Sequence, residues 1–180
     1  MKKILVLVIS CLILLSGCNM SNTPSGRVES YLNNYITMSD SVIADIETKV
    51  NVEPLSNNNK LIYKDVLKRQ YKNIKYEIED EKIDGDLASV RVKMTVFDLY
   101  RAEKESLEFA NANQNDFLKD DVFDDEKYNA YKLNKMLSTN DVVNYDIEFY
   151  LNKKDGEWIV QEPDRIVLEK IHGIYNYDIE

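Results

Sequence analysis

The hydrophobic pattern of this chain changes period along its length, and the change restricts which elements can form where. Apolar and polar residues alternate over residues 76–96 and again over residues 145–160. Each alternating run is interrupted by an Asp-Gly pair, Asp84-Gly85 in the first and Asp155-Gly156 in the second. Strict alternation is typical of strands with one buried face, and Gly accepts the positive φ of a tight hairpin turn. The sequence therefore predicts two β-hairpins.

Between and around the hairpins, apolar residues recur at three- and four-residue spacing, which indicates helices. This spacing predicts one amphipathic helix from Val28 to Val50, with a bend near residues 39–41 and with Thr23 as N-cap before Pro24. A second helix is predicted over residues 60–71, and residues 99–137 read as irregular helix. After Asp164 the pattern fits either a short helix ending near Gly173 or a final strand.

Helices stacked on one face of an antiparallel sheet give a two-layer α+β domain. We therefore predict a single α+β domain over residues 27–180, with about four antiparallel strands packed on the N-terminal helices. A helical insertion at about residues 101–138 separates the two hairpins.

Residues 1–17 have the pattern of a secretory signal. Lys2 and Lys3 precede an apolar run over residues 4–15, which is shorter than the about 20 residues that span a bilayer. The next residues, Leu15-Ser16-Gly17-Cys18, resemble the bacterial lipobox. That resemblance implies cleavage before Cys18 and a diacylglyceryl (palmitate-type) anchor on its sulfur, on the extracytoplasmic face of the cell membrane. Residues 18–26 are predicted to be a polar tether.

The cysteines and the charge exclude several classes of function. Cys11 lies inside the apolar run, so the mature chain is predicted to contain no disulfide and no cysteine nucleophile. Loss of residues 1–17 removes Lys2 and Lys3 and changes the formal net charge from -9 to -11. A protein this acidic is repelled by phosphate backbones, which disfavours nucleic-acid binding.

Three short segments carry a resemblance to known proteins: Val-Glu-Ser-Tyr-Leu at 28–32, the strand at 88–98, and Asp-Gly-Glu-Trp-Ile-Val at 155–160. Over roughly residues 28–160 the chain resembles small bacterial lipoproteins of unknown function with an NTF2-like, cystatin-like domain. The resemblance implies a curved sheet wrapped around helices, and it implies no activity. The length of the insertion departs from the family's compact pattern.

Five aromatic and acidic residues are candidates for lining a ligand pocket, since such pockets combine apolar walls with a few polar groups. The candidates are Tyr31, Tyr35, Asp98, Tyr100 and Trp158. The alternative is that most of them are core residues with a polar tip at the surface, and that Asp98 is a helix N-cap.

The sequence contains a single histidine, His172, which has no nearby Asp, Ser or Cys in sequence, and we predict that it lies at the surface or at a rim. The leading hypothesis is a non-enzymatic binding domain at the cell envelope, without a cofactor, that contacts the membrane through Cys18 and binds an unidentified ligand or protein. The alternative is an isomerase- or dehydratase-type enzyme with Asp98 or His172 as general base and a Tyr as acid.

Two stretches, residues 77–86 and 116–126, each contain six acids and one Lys. The second begins like a calcium loop, but Asp116 stands where Gly is needed and Val122 where the bidentate Glu is needed, so no metal site is predicted. A third hypothesis is that this stretch captures a cationic peptide or partner. Its predicted contact residues are Asp120, Asp121, Asp124 and Asp125.

Overall fold

The computed structural model describes residues 22–179, and both predicted hairpins are present in it. The strands are β1 (Lys75–Asp84), β2 (Leu87–Phe97), β3 (Leu118–Lys119), β4 (Val122–Phe123), β5 (Val142–Lys154) and β6 (Glu157–Val160). The helices are α1 (Pro24–Ile36), α2 (Asp40–Val52), α3 (Asn57–Lys72), α4 (Leu99–Ala112), α5 (Asp125–Ser138) and α6 (Arg165–His172). Short 3₁₀ turns lie at Gln114–Phe117 and Tyr177–Ile179.

The main sheet is antiparallel and has the strand order β1-β2-β5-β6. Its inner face is built from directly opposed apolar pairs on the two central strands, such as Val90 with Phe149 and Val92 with Ile147. These side chains are buried against α1, α2 and α3, while the intervening residues face solvent. The predicted α+β class and the four-stranded antiparallel sheet are therefore confirmed.

The prediction of one continuous helix from Val28 to Val50 is wrong, because the chain forms two helices here. The break is at Met38, which has a φ of +57°, in the left-handed region that ends a helix. The hydroxyl of Ser39 then caps α2 by accepting a hydrogen bond from the Val42 N–H. The predicted bend near residues 39–41 is therefore close to the observed break, but the chain is interrupted there and not merely bent. The N-cap at Thr23 and the start at Pro24 are confirmed.

The predicted insertion packs as a second, smaller layer. α4 and α5 bury Leu99, Ala102, Leu133 and Met136 against Val66 of α3. Between them, β3 and β4 form a two-residue-per-strand hairpin whose turn residues are Asp120 and Asp121. Asp98 caps α4 and Asp124 caps α5, each by accepting from a backbone N–H three residues later.

The helical alternative after Asp164 is confirmed by α6, which ends at Gly173 in the left-handed conformation, with φ +72°. Gly173 lies against the end of β2 and against the buried side chain of Gln70 on α3. Gln70 accepts a hydrogen bond from the Phe97 N–H at 3.2 Å and donates to the carbonyls of Phe97 and Ile171, each at 3.4 Å. One amide therefore joins α3, β2 and α6.

The segment that leads into α1 is hydrogen-bonded to the sheet. α1 begins within the predicted tether, and Asn22 already contacts the β5–β6 turn, donating to the Gly156 carbonyl at 2.8 Å and accepting from the Trp158 N–H at 3.1 Å. The predicted signal, the lipobox and Cys18 lie outside the described residues. Across residues 22–179, no helix combines the length and hydropathy that crossing a bilayer requires.

Candidate functional site

A cleft of about 430 Å³ opens between α1, α2, the segment that follows β6, and α6. This volume is within the range of small-molecule sites. We call it the tyrosine cleft, because three tyrosines from two helices line it together with His172 of α6. Its lining residues are Tyr31, Tyr35, Val42, Asp45, Thr48, Lys49, Tyr71, Val160, Gln161, Glu162, Pro163, Leu168 and His172.

The tyrosines form a continuous row of ring contacts that begins at the sheet. Tyr31 packs on Phe149 of β5, with ring centroids 5.7 Å apart, and meets Tyr35 edge-on at 5.6 Å. Tyr35 in turn contacts Tyr71 edge-on at 5.1 Å. Tyr31 and Tyr35 are four residues apart on α1, so the helix places them on the same face. Their hydroxyl oxygens are 3.2 Å apart.

Burial raises the pKa of Tyr31, Tyr35 and Tyr71 above the ordinary tyrosine value, with smaller contributions from neighbouring side chains. All three phenols therefore stay protonated at neutral pH. Each hydroxyl then keeps both its donor and its acceptor capacity, which suits recognition of a polar group on a bound molecule.

The prediction that His172 lies at the surface or at a rim is wrong: the side chain is only 7% exposed. His172 lies in the last turn of α6, one helical turn after Leu168, and both side chains line the cleft. Gly173, the next residue, packs against β2 and holds the end of α6 there. The Nδ1 of the His172 ring is 3.0 Å from the Tyr71 hydroxyl oxygen. Its Nε2 is buried without a hydrogen-bond partner among the groups of residues 22–179.

Burial, reinforced by the charge of Lys49, lowers the pKa of His172 to about 3. The imidazole is therefore neutral at physiological pH. Because one nitrogen already contacts Tyr71, the ring has one remaining polar atom, and an unpaired polar atom in the interior destabilises a fold by about 1–3 kcal/mol.

Three charged residues line the cleft: Asp45 and Lys49 on α2, and Glu162 after β6. Lys49 is half-buried and forms no ion pair or hydrogen bond within the described part of the chain, whereas Asp45 and Glu162 are exposed. Lys49 and His172 also line a second, smaller cavity of about 200 Å³. The positive charge therefore lies close to the imidazole, and the negative charges lie in solvent.

The structure does not bring the five predicted ligand residues together. Tyr31 and Tyr35 line the tyrosine cleft, but Asp98 and Tyr100 lie at the start of α4 and bind the C-terminal segment. Asp98 accepts from the Tyr177 hydroxyl at 2.9 Å, and the Tyr100 hydroxyl donates to Asp178 at 2.9 Å. Burial and the bond to Asp98 raise the pKa of Tyr177 to about 12. This cluster joins the C-terminal turn to α4.

Trp158, the fifth predicted residue, belongs to the core of the sheet. The residue is 6% exposed and lies within the main hydrophobic cluster, with the Lys153 ammonium 5.4 Å from the centroid of its ring. Trp158 is therefore a core residue, as the alternative interpretation of the aromatic candidates predicted.

The predicted acidic patch forms one surface at the tip of the insertion. Asp120 and Asp121 make the β3–β4 turn, while Asp124 and Asp125 cap and begin α5. Val122 and Phe123 lie between them, with 68% and 43% of their surfaces exposed. We call these six residues the arm tip. Within residues 22–179, no three His, Cys, Asp or Glu side chains are arranged to hold a metal ion.

Sequence reasoning missed Tyr71, Lys49 and His172 as members of one site. Tyr71 reads as part of the apolar face of α3, and Lys49 reads as a solvated charge on α2. The spacing of Leu168 and His172, four apart on a short amphipathic helix, indicates only that the two side chains share one face of that helix.

Comparison of the chain with family models, with curated proteins and with solved structures finds no match.

Proposed function

We propose that this protein is a lipid-anchored, extracytoplasmic binding domain of NTF2-like, cystatin-like shape, and that the tyrosine cleft is its ligand site. The lipobox pattern at residues 15–18 supports the anchor. The observation that carries the ligand site is the combination, in one concave surface, of three protonated tyrosines with an imidazole whose Nε2 has no hydrogen-bond partner among residues 22–179. Apolar walls with a few fixed polar groups are what small-molecule sites have in common.

The anchor is tested by metabolic labelling with radioactive palmitate in a bacterial host. We expect the wild-type chain to incorporate the label and Cys18→Ala to incorporate none, because only the Cys18 sulfur stands at the cleavage position. Cys11→Ala is the matched control: it removes the only other cysteine, and we expect its labelling to equal that of wild type.

Label that persists in Cys18→Ala would contradict the anchor. Membrane fractionation alone does not decide the question, since an uncleaved signal also holds a chain at the membrane.

We propose a non-enzymatic role because the titratable groups of the cleft are poorly matched to acid–base chemistry at neutral pH. A general base works best with a pKa near the operating pH. An imidazole with a pKa of about 3 is a weak base, and Asp98, the other candidate base, does not line the cleft. The enzyme alternative is favoured by one observation, the direct contact of His172 with a tyrosine hydroxyl. An NMR titration of the His172 imidazole distinguishes the two.

The arm tip supports a second candidate function, capture of a cationic amphipathic peptide. Its four carboxylates flank two exposed apolar side chains along the chain, so the surface offers both charge and apolar area to such a peptide.

We expect a synthetic helical peptide of Lys and Leu to bind the protein and to bind less tightly as salt is raised. Replacing the four carboxylates of the arm tip by Asn should weaken binding about tenfold, because each exposed pair is worth roughly 0.2–1 kcal/mol. Titration by fluorescence anisotropy measures this effect.

A variant with four acids of residues 77–86 neutralised is the charge-matched control, and we expect it to bind nearly as well as wild type. Binding that is indifferent to salt, or equally weakened in both variants, would count against the arm tip.

A further inference from the structure

We infer that the tyrosine cleft binds a small organic monocarboxylate, with the carboxylate at Lys49 and His172 and the body of the molecule against the tyrosine rings. This inference rests on the proposed binding function and adds the chemical class of the ligand.

The hydrogen-bonding state of His172 defines what it can recognise. A phenol hydroxyl is a better donor than an imidazole N–H, and an imidazole nitrogen is a better acceptor than a phenol oxygen. Tyr71 therefore donates to Nδ1 across their 3.0 Å contact, and the proton of the neutral ring is on Nε2. Nε2 is then a buried donor that has no acceptor among the groups of residues 22–179. A carboxylate or carbonyl oxygen supplies that acceptor.

Lys49 favours the carboxylate over the carbonyl. It lies near enough to His172 to lower the pKa of the imidazole, it is half-buried, and no described carboxylate pairs with it. A partly desolvated ammonium interacts more strongly with an anion than a fully hydrated one does. Lys49 and His172 line the same cleft, so they can offer a charge and a neutral donor to the two oxygens of one carboxylate once the imidazole has turned to expose its Nε2–H.

The remaining charges of the cleft limit the ligand to one carboxylate. Asp45 and Glu162 line the same cleft, are exposed, and repel a second negative group on a bound molecule. Because they are in solvent, their repulsion is screened, and the half-buried Lys49 determines the charge preference at the inner end.

The tyrosines provide the surface for the body of the ligand. Tyr31 and Tyr35 are held edge-to-face and are each half-buried, so their exposed ring edges and faces suit a flat apolar group. Benzoate is thus a suitable probe, with benzamide as its neutral counterpart and terephthalate as its dianionic one.

The single histidine of the chain makes a direct experiment possible. The full chain, purified from membranes in detergent without a histidine tag and labelled with ¹⁵N-histidine, has one imidazole to observe by NMR. Because Nε2 is covered by its neighbours, the ring must adjust to meet a ligand, and its signals should shift saturably with benzoate. We expect benzamide to bind at least about tenfold more weakly than benzoate, since it cannot form the charge-assisted hydrogen bond. We expect terephthalate to bind a few-fold more weakly than benzoate, since the repulsion of its second carboxylate by the exposed Asp45 and Glu162 is screened.

Variants of Lys49 test the charge itself. Lys49→Gln should weaken benzoate binding about tenfold and leave benzamide binding unchanged, and Lys49→Arg should retain benzoate binding. Lys72→Gln removes an exposed lysine at the end of α3, outside the cleft, and is the control for net charge. Unfolding curves of each variant establish that the fold is unchanged.

Equal binding of benzoate and benzamide, or benzoate binding unaffected by Lys49→Gln, would overturn the carboxylate assignment while supporting the cleft as a ligand site. Failure of all three probes to shift the imidazole signals would also overturn it. Neither result alters palmitate labelling at Cys18, which tests the anchor independently.

Discussion

Replacement of Gly173 by Ala should lower the free energy of unfolding by about 3 to 4 kcal/mol, from backbone strain and a steric overlap acting together. Gly173 has a φ of +72°, where a residue with a Cβ loses roughly 1–2 kcal/mol. A Cβ built there also overlaps the Phe97 carbonyl oxygen and the side-chain nitrogen of Gln70. The first of these is backbone at the end of β2, and the second belongs to a side-chain amide that is fixed by three hydrogen bonds, so neither can move freely.

Gly156→Ala is the matched control for this effect. Gly156 also has a positive φ, +84°, but a Cβ built there meets nothing within 4 Å. We therefore expect it to lose only the backbone part, about 1–2 kcal/mol. Urea unfolding followed by circular dichroism measures both variants. Equal losses would show that the contact of Gly173 with β2 and Gln70 contributes nothing.

His172 should make the protein less stable as the pH falls below about 6.5. The pKa of its imidazole is 6.5 in the unfolded chain and about 3 in the folded one, so the unfolded state binds the additional proton between these values. Unfolding is therefore favoured by acid, and the loss of stability continues down to about pH 3. From the linkage relation the loss between pH 7.5 and pH 5 is about 2 kcal/mol.

The His172→Gln variant isolates this contribution, because glutamine does not titrate. We expect the stability of wild type to fall about 2 kcal/mol further than that of the variant between pH 7.5 and pH 5, measured by urea unfolding at both pH values. Direct NMR titration of the single imidazole provides a second measurement. A His172 pKa between 6 and 7, with the same pH dependence in both proteins, would contradict the burial of a neutral imidazole and favour the acid–base alternative.

The strands and most helix ends were predictable because they depend on local signals. Alternation, the Asp-Gly pairs and the capping residues Thr23, Asp98 and Asp124 each act within a few residues of the chain. The break at Met38 was less predictable, because no glycine or proline marks it and the apolar spacing continues on both sides. Met38 adopts the left-handed conformation, and a methionine in the sequence does not indicate a helix end.

The candidate site was predictable only where it lies on one helix. Tyr31 and Tyr35 share a face of α1, and the sequence paired them correctly. Tyr71 and His172 come together through the tertiary contact of Gly173 with β2 and α3. Asp98 was grouped with the wrong partners for the same reason, since its hydrogen bond goes to Tyr177, near the other end of the domain. Contacts between distant segments leave no periodic pattern in the sequence.

The hydrogen bonds of Asn22 would limit how far the domain can move from a lipid attached at Cys18. If lipid is attached at Cys18, only four residues of chain reach from it to Asn22, a span of at most about 14 Å. Because Asn22 is bonded to the β5–β6 turn, that turn is held within this distance of the lipid. Tyr31 and Tyr35 lie about 10 to 16 Å further along α1. Such an attachment would leave the domain little freedom to tumble, and it would keep the mouth of the tyrosine cleft within a thin layer of the aqueous space beside the bilayer.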